Sequence, residues 1–364
     1  MAEAATRRGA RRPGFLLAAL AVLVGLTGWR LAWAPTAARL VQVEGEVMGT
    51  TYTVGVVART RDQQSAAARV RVADLVATTL DAVDAAMSTY VADSEVSRFN
   101  AAPAGQDVPL SEAMVEVMRI ATRIHLLSGG ALDVTVGPLV ERWGFGATGG
   151  LVAVPTQAEV DALRENLGQA LLQFDPEGGT LKKKREGLRV DLSAVAKGYG
   201  VDRVAVALAA AGWTDFLIEV GGEIRVAGRT ERDAPWRVAV ERPEATSRRA
   251  HEVIALEGRH AMATSGDYRN FTVVDGVRYA HTIDPTTGRP VTHDLASVTV
   301  VADTCALADA LATALNVMGP ERGFVLAERE GLAALFLVGA PDALTGRATQ
   351  AWTALRTGTE GRPQ

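Results

Sequence analysis

One cysteine in 364 residues, Cys305, excludes an internal disulfide and any cysteine-rich metal centre. It stands among small apolar residues and reads as a buried thiol. A basic excess is missing as well: 38 Lys and Arg face 42 Asp and Glu, for a net charge of −4. The first forty residues hold six arginines and only Glu3, so the remainder carries 32 basic groups against 41 acidic ones, a balance of −9. Such a body has no positive face for a phosphate backbone, which excludes nucleic acid as a partner. Its one basic run, Lys182 to Arg185, follows Gly178-Gly179 and reads as a solvated hairpin turn. The Ala196-Lys197-Gly198 step is not the Gly-x-x-x-x-Gly-Lys-Ser/Thr of a P-loop, and no internal repeat is visible.

What is present is apolar material for a core, 48% of the chain, enough for one large or two ordinary domains. Arg7, Arg8, Arg11 and Arg12 precede an apolar run from Phe15 to Trp29 that Leu31 to Trp33 extends toward the roughly 20 residues a bilayer needs. Ala32 to Ala34 resembles a cleavage site, but Pro35 directly after it opposes processing, and no cysteine follows the run to take a lipid. The expectation is an uncleaved anchor within residues 1–40. Arginines hold its start in the cytoplasm and place the body, residues 41–355, on the extracytoplasmic side of the cytoplasmic membrane. Residues 356–364 read as a flexible tail.

Along the body, hydrophobic spacing gives strands around Met48-Gly49-Thr50, a helix over 69–89, and a second helix over 111–127 whose methionines are core. Residues 93–100 read as a polar loop. Gly130 to Val140 alternates like a strand, an awkward place for Asp133, which either caps the next turn or contacts a ligand. Pro155-Thr156 starts a peripheral helix that a hairpin follows. After residue 211 come a strand at 215–220, a hairpin at 226–240, a mobile polar loop at 242–250 and a strand at 252–256. Ala263 to Arg269 reads as a polar turn, 297–302 as a strand. A helix starting at Asp303 or Thr304 carries Leu307, Leu311, Leu315 and Met318 on its buried stripe. Hairpins outnumber strand–helix–strand units, so the fold class is α+β, a mainly antiparallel sheet packed by helices.

The densest stretch is Asp191 to Gly200. Ser193 is a fair N-cap, Val201 to Ala211 carry a helical repeat, and Lys197 lies in the first turns. A helix N-terminus with a lysine favours an anionic oxygen, and Gly198 and Gly200 let a ligand or another backbone approach closely. A plain strand-to-helix corner has the same appearance. Three later features add chemistry. His281 ends a strand beside a tight turn, which gives it a claim to proton work. Asp284 opens that turn, Gly288 closes it, and a capping role accounts for the aspartate equally well. Asp309 and Thr313, four apart on one helical face, are hard oxygen donors able to take two positions around Mg2+, or a simple hydrogen-bonded pair.

Taken in order, Met48 to Thr50, Met87 to Tyr90 with Ser94 to Asn100, Gly130 to Pro138, Asp191 to Gly200, Gly221 to Glu223, Thr264 to Tyr268, His281 to Gly288, and Asp309 with Thr313 resemble the ApbE family across residues 41–340. Its members are FAD:protein FMN transferases. The resemblance implies that FAD is a substrate: its pyrophosphate is split, FMN passes through its phosphate to a threonine hydroxyl of an acceptor flavoprotein, and AMP leaves. It implies that Met48, Tyr90, Ala131, Leu132, Asp133, Asp191, Lys197 and Ile283 contact FAD, and that the Ala194 carbonyl, Asp309 and Thr313 bind Mg2+. His281 then accepts the threonine proton, a role Asp284 or Asp309 can share. Acceptors of this type are commonly membrane redox subunits. Two other readings use the same residues: an FAD pyrophosphatase, with water in place of threonine, and a protein that carries FAD without turnover. Tyr90 favours transfer, because transferring members tend to hold tyrosine there, near the adenine.

Overall fold

The structure is a computed structural model that describes residues 36–360 apart from 148, 152, 245–248, 259 and 341. Residues 1–35 of the expected anchor segment, the centre of the expected polar loop at 242–250 and the last four residues of the expected tail therefore lie outside the described residues, while residues 356–360 belong to helix Gln350–Glu360 and are not a loose tail. Among the described residues, no helix is long and apolar enough to cross a membrane.

An eight-stranded sheet organises the chain. Its strands, Arg39–Val47, Thr50–Ala58, Phe216–Val220, Glu223–Ala227, His260–Gly266, Leu295–Ala302, Ala333–Val338 and Thr345–Ala348, lie side by side in chain order, and every neighbouring pair is antiparallel. Side chains alternate between its faces. Val54, Val56, Ile218, Ala261, Val298 and Val300 lie under helices Ala66–Met87, Ser193–Ala210 and Cys305–Arg329. Val57, Met262, Val301, Leu335 and Leu337 form the other face, beneath the hairpin Trp236–Glu241/Ala250–Leu256 and Trp352 of the last helix. The expected α+β class is the observed one.

Local chemistry sets the element ends. Ser65, Ser94, Ser111, Thr156 and Thr304 each cap a helix, accepting a backbone N–H with a side-chain oxygen. Such a cap is worth about 1 kcal/mol. Ser94 explains why 93–100 is not a loop: it starts helix Glu95–Ala101, and Val96 and Phe99, three apart, anchor that helix in the core. Gly130 to Val140 is not a strand either. Asp133 Oδ1 accepts from the Thr135 N–H at 2.9 Å and the Thr135 hydroxyl at 2.6 Å, turning the chain, and Pro138 then fits the first turn of helix Gly137–Arg142.

Three further expectations give way. No hairpin forms over 226–240; Glu223–Ala227 stays in the main sheet, and Trp236–Glu241 leaves it to pair with Ala250–Leu256. Ala263 to Gly266 is strand, and the turn begins only at Asp267. Lys182–Arg185 is not a solvated turn. Lys183 closes strand Thr180–Lys183 and is buried, its ammonium donating to the Asn100 carbonyl at 2.7 Å, while burial pushes its pKa down. The hairpin turn falls earlier, between Asp175 and Thr180.

Candidate active site

The Asp191 to Gly200 stretch is held from three sides. Asn100 uses its side-chain amide as a strand would: Nδ2 donates to the Val190 carbonyl at 2.9 Å and Oδ1 accepts the Val190 N–H at 2.7 Å. Beside it, the Asp191 N–H donates to the Val134 carbonyl at 2.7 Å, which brings the Ala131, Leu132 and Asp133 segment against Asp191. Helix Ser193–Ala210 starts one residue earlier than Ser193 as N-cap would require. Leu192 is the cap residue and offers no side-chain bond, and Asp191 Oδ1 accepts the Ser193 N–H at 2.8 Å instead.

Gly198 has the backbone-approach role. A Cβ there would sit 2.4 Å from the Cys305 carbonyl oxygen, so its absence is what lets helix Cys305–Arg329 cross so closely. That crossing delivers Asp309, whose Oδ2 accepts the Gly198 N–H at 3.0 Å. In an α-helix this N–H belongs to the turn whose carbonyl is that of residue 194. The Asp309 carboxylate thus lies at the Ala194–Gly198 turn, and Thr313 follows one turn on along the same face of its helix. The long helix is less a stripe than a buried rod: besides Leu311 and Leu315, Ala306, Ala308, Ala310, Ala312 and Ala314 are buried, whereas Leu307 and Met318 are only partly so. Asp202 secures its start, accepting the N–H groups of Cys305 and Ala306 at 2.9 Å each while paired with Arg225. Burial and the neighbouring acids push the Cys305 thiol well up, leaving it unreactive.

Lys197 does not extend freely to solvent; its ammonium pairs with Glu223, which follows the Gly221-Gly222 turn. Burial opposes the lysine charge, but Asp309 and Glu223 outweigh it and hold the ammonium above its usual range. Burial pushes Glu223 up to about 7, with Asp309 adding to the rise and Lys197 opposing it. Burial raises Asp309 also. Two buried carboxyls thus share one ammonium, and Glu223 Oε2 is buried with no partner. Among the described residues no three His, Cys, Asp or Glu side chains converge on a metal position. The donor set of one carboxylate, one hydroxyl and one carbonyl, beside unmatched negative charge, nevertheless fits Mg2+, which typically takes one or two carboxylates and completes its shell with water and phosphate.

The other expected residues come from several separate segments. Met48 and Gly49, at φ 51° and 69°, form the two-residue turn that Val47 and Thr50 close, the geometry of a type I′ hairpin. The left-handed backbone at Met48 costs about 1 kcal/mol. Its side chain packs over Gly200, where a Cβ would come 3.6 Å from Met48 Cε. Tyr90 is 68% exposed, and its hydroxyl donates to the Phe145 carbonyl at 3.4 Å. Partial burial raises its pKa, and the charges of Asp191 and Glu141 add to the effect. The Phe145 ring meets His281 edge-on at 6.3 Å, so Tyr90, Phe145 and His281 form one wall. Ile283 is buried with Leu139, Trp143 and Val160. Asp284 caps its turn, accepting the Thr286 N–H at 2.8 Å through Oδ1 and the Gly288 N–H at 2.8 Å through its carbonyl.

Four residues had no role assigned from sequence: Glu223, the partner of Lys197, and Asp267, against His281 Nδ1 at 3.1 Å, both inside motifs already named, together with Phe145 between Tyr90 and His281 and Asn316 behind Asp267. Outside those motifs, Asn316 carried a positional signal, a polar residue seven after Asp309 in an alanine- and leucine-rich helix.

Comparison with known proteins identifies the family. The ApbE family model matches residues 48–336. The FAD:protein FMN transferase of Vibrio cholerae is 42% identical over 326 residues, covering 90% of this chain and 94% of that one. The Escherichia coli K12 protein of the same name is 36% identical over 293 residues, 80% of this chain and 82% of its own. Among solved structures, the flavin transferase ApbE from Vibrio cholerae has a TM-score of 0.79 at 40% identity, covering 87% of this chain and 99% of that one. The apo flavinyl transferase ApbE of Pseudomonas stutzeri has 0.78 at 38% identity, covering 88% and 97%. With the family model spanning most of the body and relatives this similar over nearly their full lengths, the chain belongs to the ApbE family.

Proposed function

We propose that the chain transfers FMN from FAD to a threonine hydroxyl of an acceptor flavoprotein and releases AMP. The observation that carries this reading is the juxtaposition of Lys197, Asp309 and the Ala194 turn at the start of one helix, with His281 on the adjoining wall. The threonine oxygen attacks the FMN-side phosphorus, the bond to the AMP phosphate breaks, and the threonine proton passes to His281. AMP departs as an anion and needs no proton. Lys197 supplies positive charge where the diphosphate lies, and the N–H groups at the start of its helix that Asp191 does not engage favour the same anion. The Ala194 carbonyl, Asp309 and Thr313 would hold Mg2+, which would neutralise charge at the phosphoryl oxygens. Met48, Tyr90, Ala131, Leu132, Asp133, Asp191 and Ile283 hold FAD in this reading, and Asp284 acts through the turn that presents His281.

The same reading places the N-terminal apolar run in the cytoplasmic membrane and the body outside the cytoplasm, supported by the arginines ahead of that run. Chromatography of FAD incubated with the full chain and Mg2+, with and without an acceptor domain, tests the chemistry. AMP release that requires the acceptor is the expected result. Free FMN and AMP without acceptor would make the chain a pyrophosphatase, and FAD recovered intact in both would make it a carrier.

A further inference from the structure

His281 is gripped through one nitrogen. Nδ1 lies 3.1 Å from Asp267 Oδ1 and 3.1 Å from the Asn270 carbonyl oxygen. Both partners only accept, so Nδ1 carries the ring proton and, in the neutral imidazole, Nε2 keeps its lone pair. Asp267 is itself fixed. The Thr282 hydroxyl donates to Oδ1 at 2.7 Å, and Asn316 Nδ2 approaches Oδ2 at 3.4 Å. Asn316 is fully buried, and its Nδ2 also reaches Ser265 Oγ at 3.2 Å and Thr282 Oγ1 at 3.3 Å. Burial works against the charge of Asp267, but the bonds from His281, Thr282 and Asn316 outweigh it and hold the carboxyl below its usual range.

The spacing along the long helix gives this network its reach. Asp309, Thr313 and Asn316 fall at i, i+4 and i+7, on one face. We propose that Asp267 is a positioning residue for the transfer: it fixes the His281 tautomer that leaves Nε2 free to take the acceptor proton. Asn316 ties Asp267 to the helix face that carries Asp309 and Thr313, so the base and the phosphate site hold a constant separation. This inference rests on the reading of His281 as the proton acceptor.

A double-mutant cycle tests it with the full chain, FAD, Mg2+ and an acceptor domain. In Asp267→Asn the new amide can donate to Nδ1, which favours the tautomer with the proton on Nε2. The expected result is a kcat lower by about 10-fold or more, with the ~10²–10⁴ that acid–base assistance contributes as the ceiling, and the KM for FAD unchanged. In the His281→Ala background the same substitution should cost nothing further. Imidazole added to His281→Gly should restore transfer to the same extent whether or not Asp267→Asn is also present. Thr282→Val, which removes one donor to Asp267 at constant shape, should lower kcat only when His281 is present, and it serves if Asp267→Asn fails to fold. An equal loss in both backgrounds, or a rise in KM without a fall in kcat, would overturn the positioning role. Full transfer by His281→Ala would instead overturn the reading of His281 itself.

Discussion

Two acids with opposite environments carry most of the residue-scale chemistry. Asp309 is buried, and burial raises its pKa against the charge of Lys197 and the hydrogen bond from Gly198, so its ionised form is only partly compensated in the bare protein. A cation bound there should therefore stabilise the fold by mass action. Wild type should melt at a higher temperature with Mg2+ than with EDTA. Asp309→Ala should lose both that difference and Mg2+-dependent turnover while remaining folded, and scanning fluorimetry beside an AMP assay checks both. Asp267 is the reverse case, held below its usual value by its donors. Its contribution is present above the unfolded-state pKa and lost as the pH falls through the folded value. The melting gap between wild type and Asp267→Asn should therefore be widest near neutrality and close as the pH falls below about 4. A gap that stays constant into acid would show that the charge of Asp267 is not what stabilises. Asp133 and Asp284 both cap turns here, the structural alternative that the sequence offered for each.

At the scale of elements, two contacts between distant segments set the site. The first is the crossing at Gly198, where a methyl group would meet the Cys305 carbonyl at 2.4 Å. Gly198→Ala should destabilise by about 1–3 kcal/mol, the usual cost of overpacking, and should lower turnover by moving Asp309 away from the Ala194 turn. Denaturant unfolding and kinetics check this, and a neutral variant would mean the helices slide apart freely. The second is Asn100, whose amide completes the backbone pairing of Val190. Asn100→Ala leaves that N–H and C=O without partners, at about 1–3 kcal/mol each if they stay dry. A weaker affinity for FAD should accompany the loss, because Val190 precedes Asp191.

The elements that were legible in sequence were those with a local cause. Helices Ala66–Met87 and Glu112–Ser128 followed from apolar spacing, and the helix start at Thr156 from the Pro155-Thr156 pair. What was missed depended on distant segments. Helix Glu95–Ala101 is too short and polar to show a period, Trp236–Glu241 changes sheets, and Lys183 is buried by Asn100 and Leu188, whose carbonyls take its charge.

For the molecule as a whole, a sheet whose strands follow chain order leaves the function to its connections. Most of the ordered motifs named in the sequence lie at a turn or in one of the segments between sheet strands: 48–50, 87–100, 130–138, 191–200, 221–223 and 281–288. The motif at 264–268 spans the end of a strand, and 309–313 lies in the helix that crosses the start of Ser193–Ala210. The order of the motifs was therefore readable from sequence, but their convergence was not, since it depends on the insertions folding back over one face. The same arrangement lets an acidic body hold an anion, because only Lys197 and one helix start have to face it.

The measurement that bears most directly on the account is the intact mass of an acceptor domain after incubation with the full chain, FAD and Mg2+, run beside the acceptor with its target threonine changed to alanine. The account predicts that the first acceptor gains the mass of one FMN in a phosphoester at the threonine, with one AMP per acceptor, and that the alanine form gains nothing. An unchanged threonine acceptor accompanied by free FMN and AMP would contradict it.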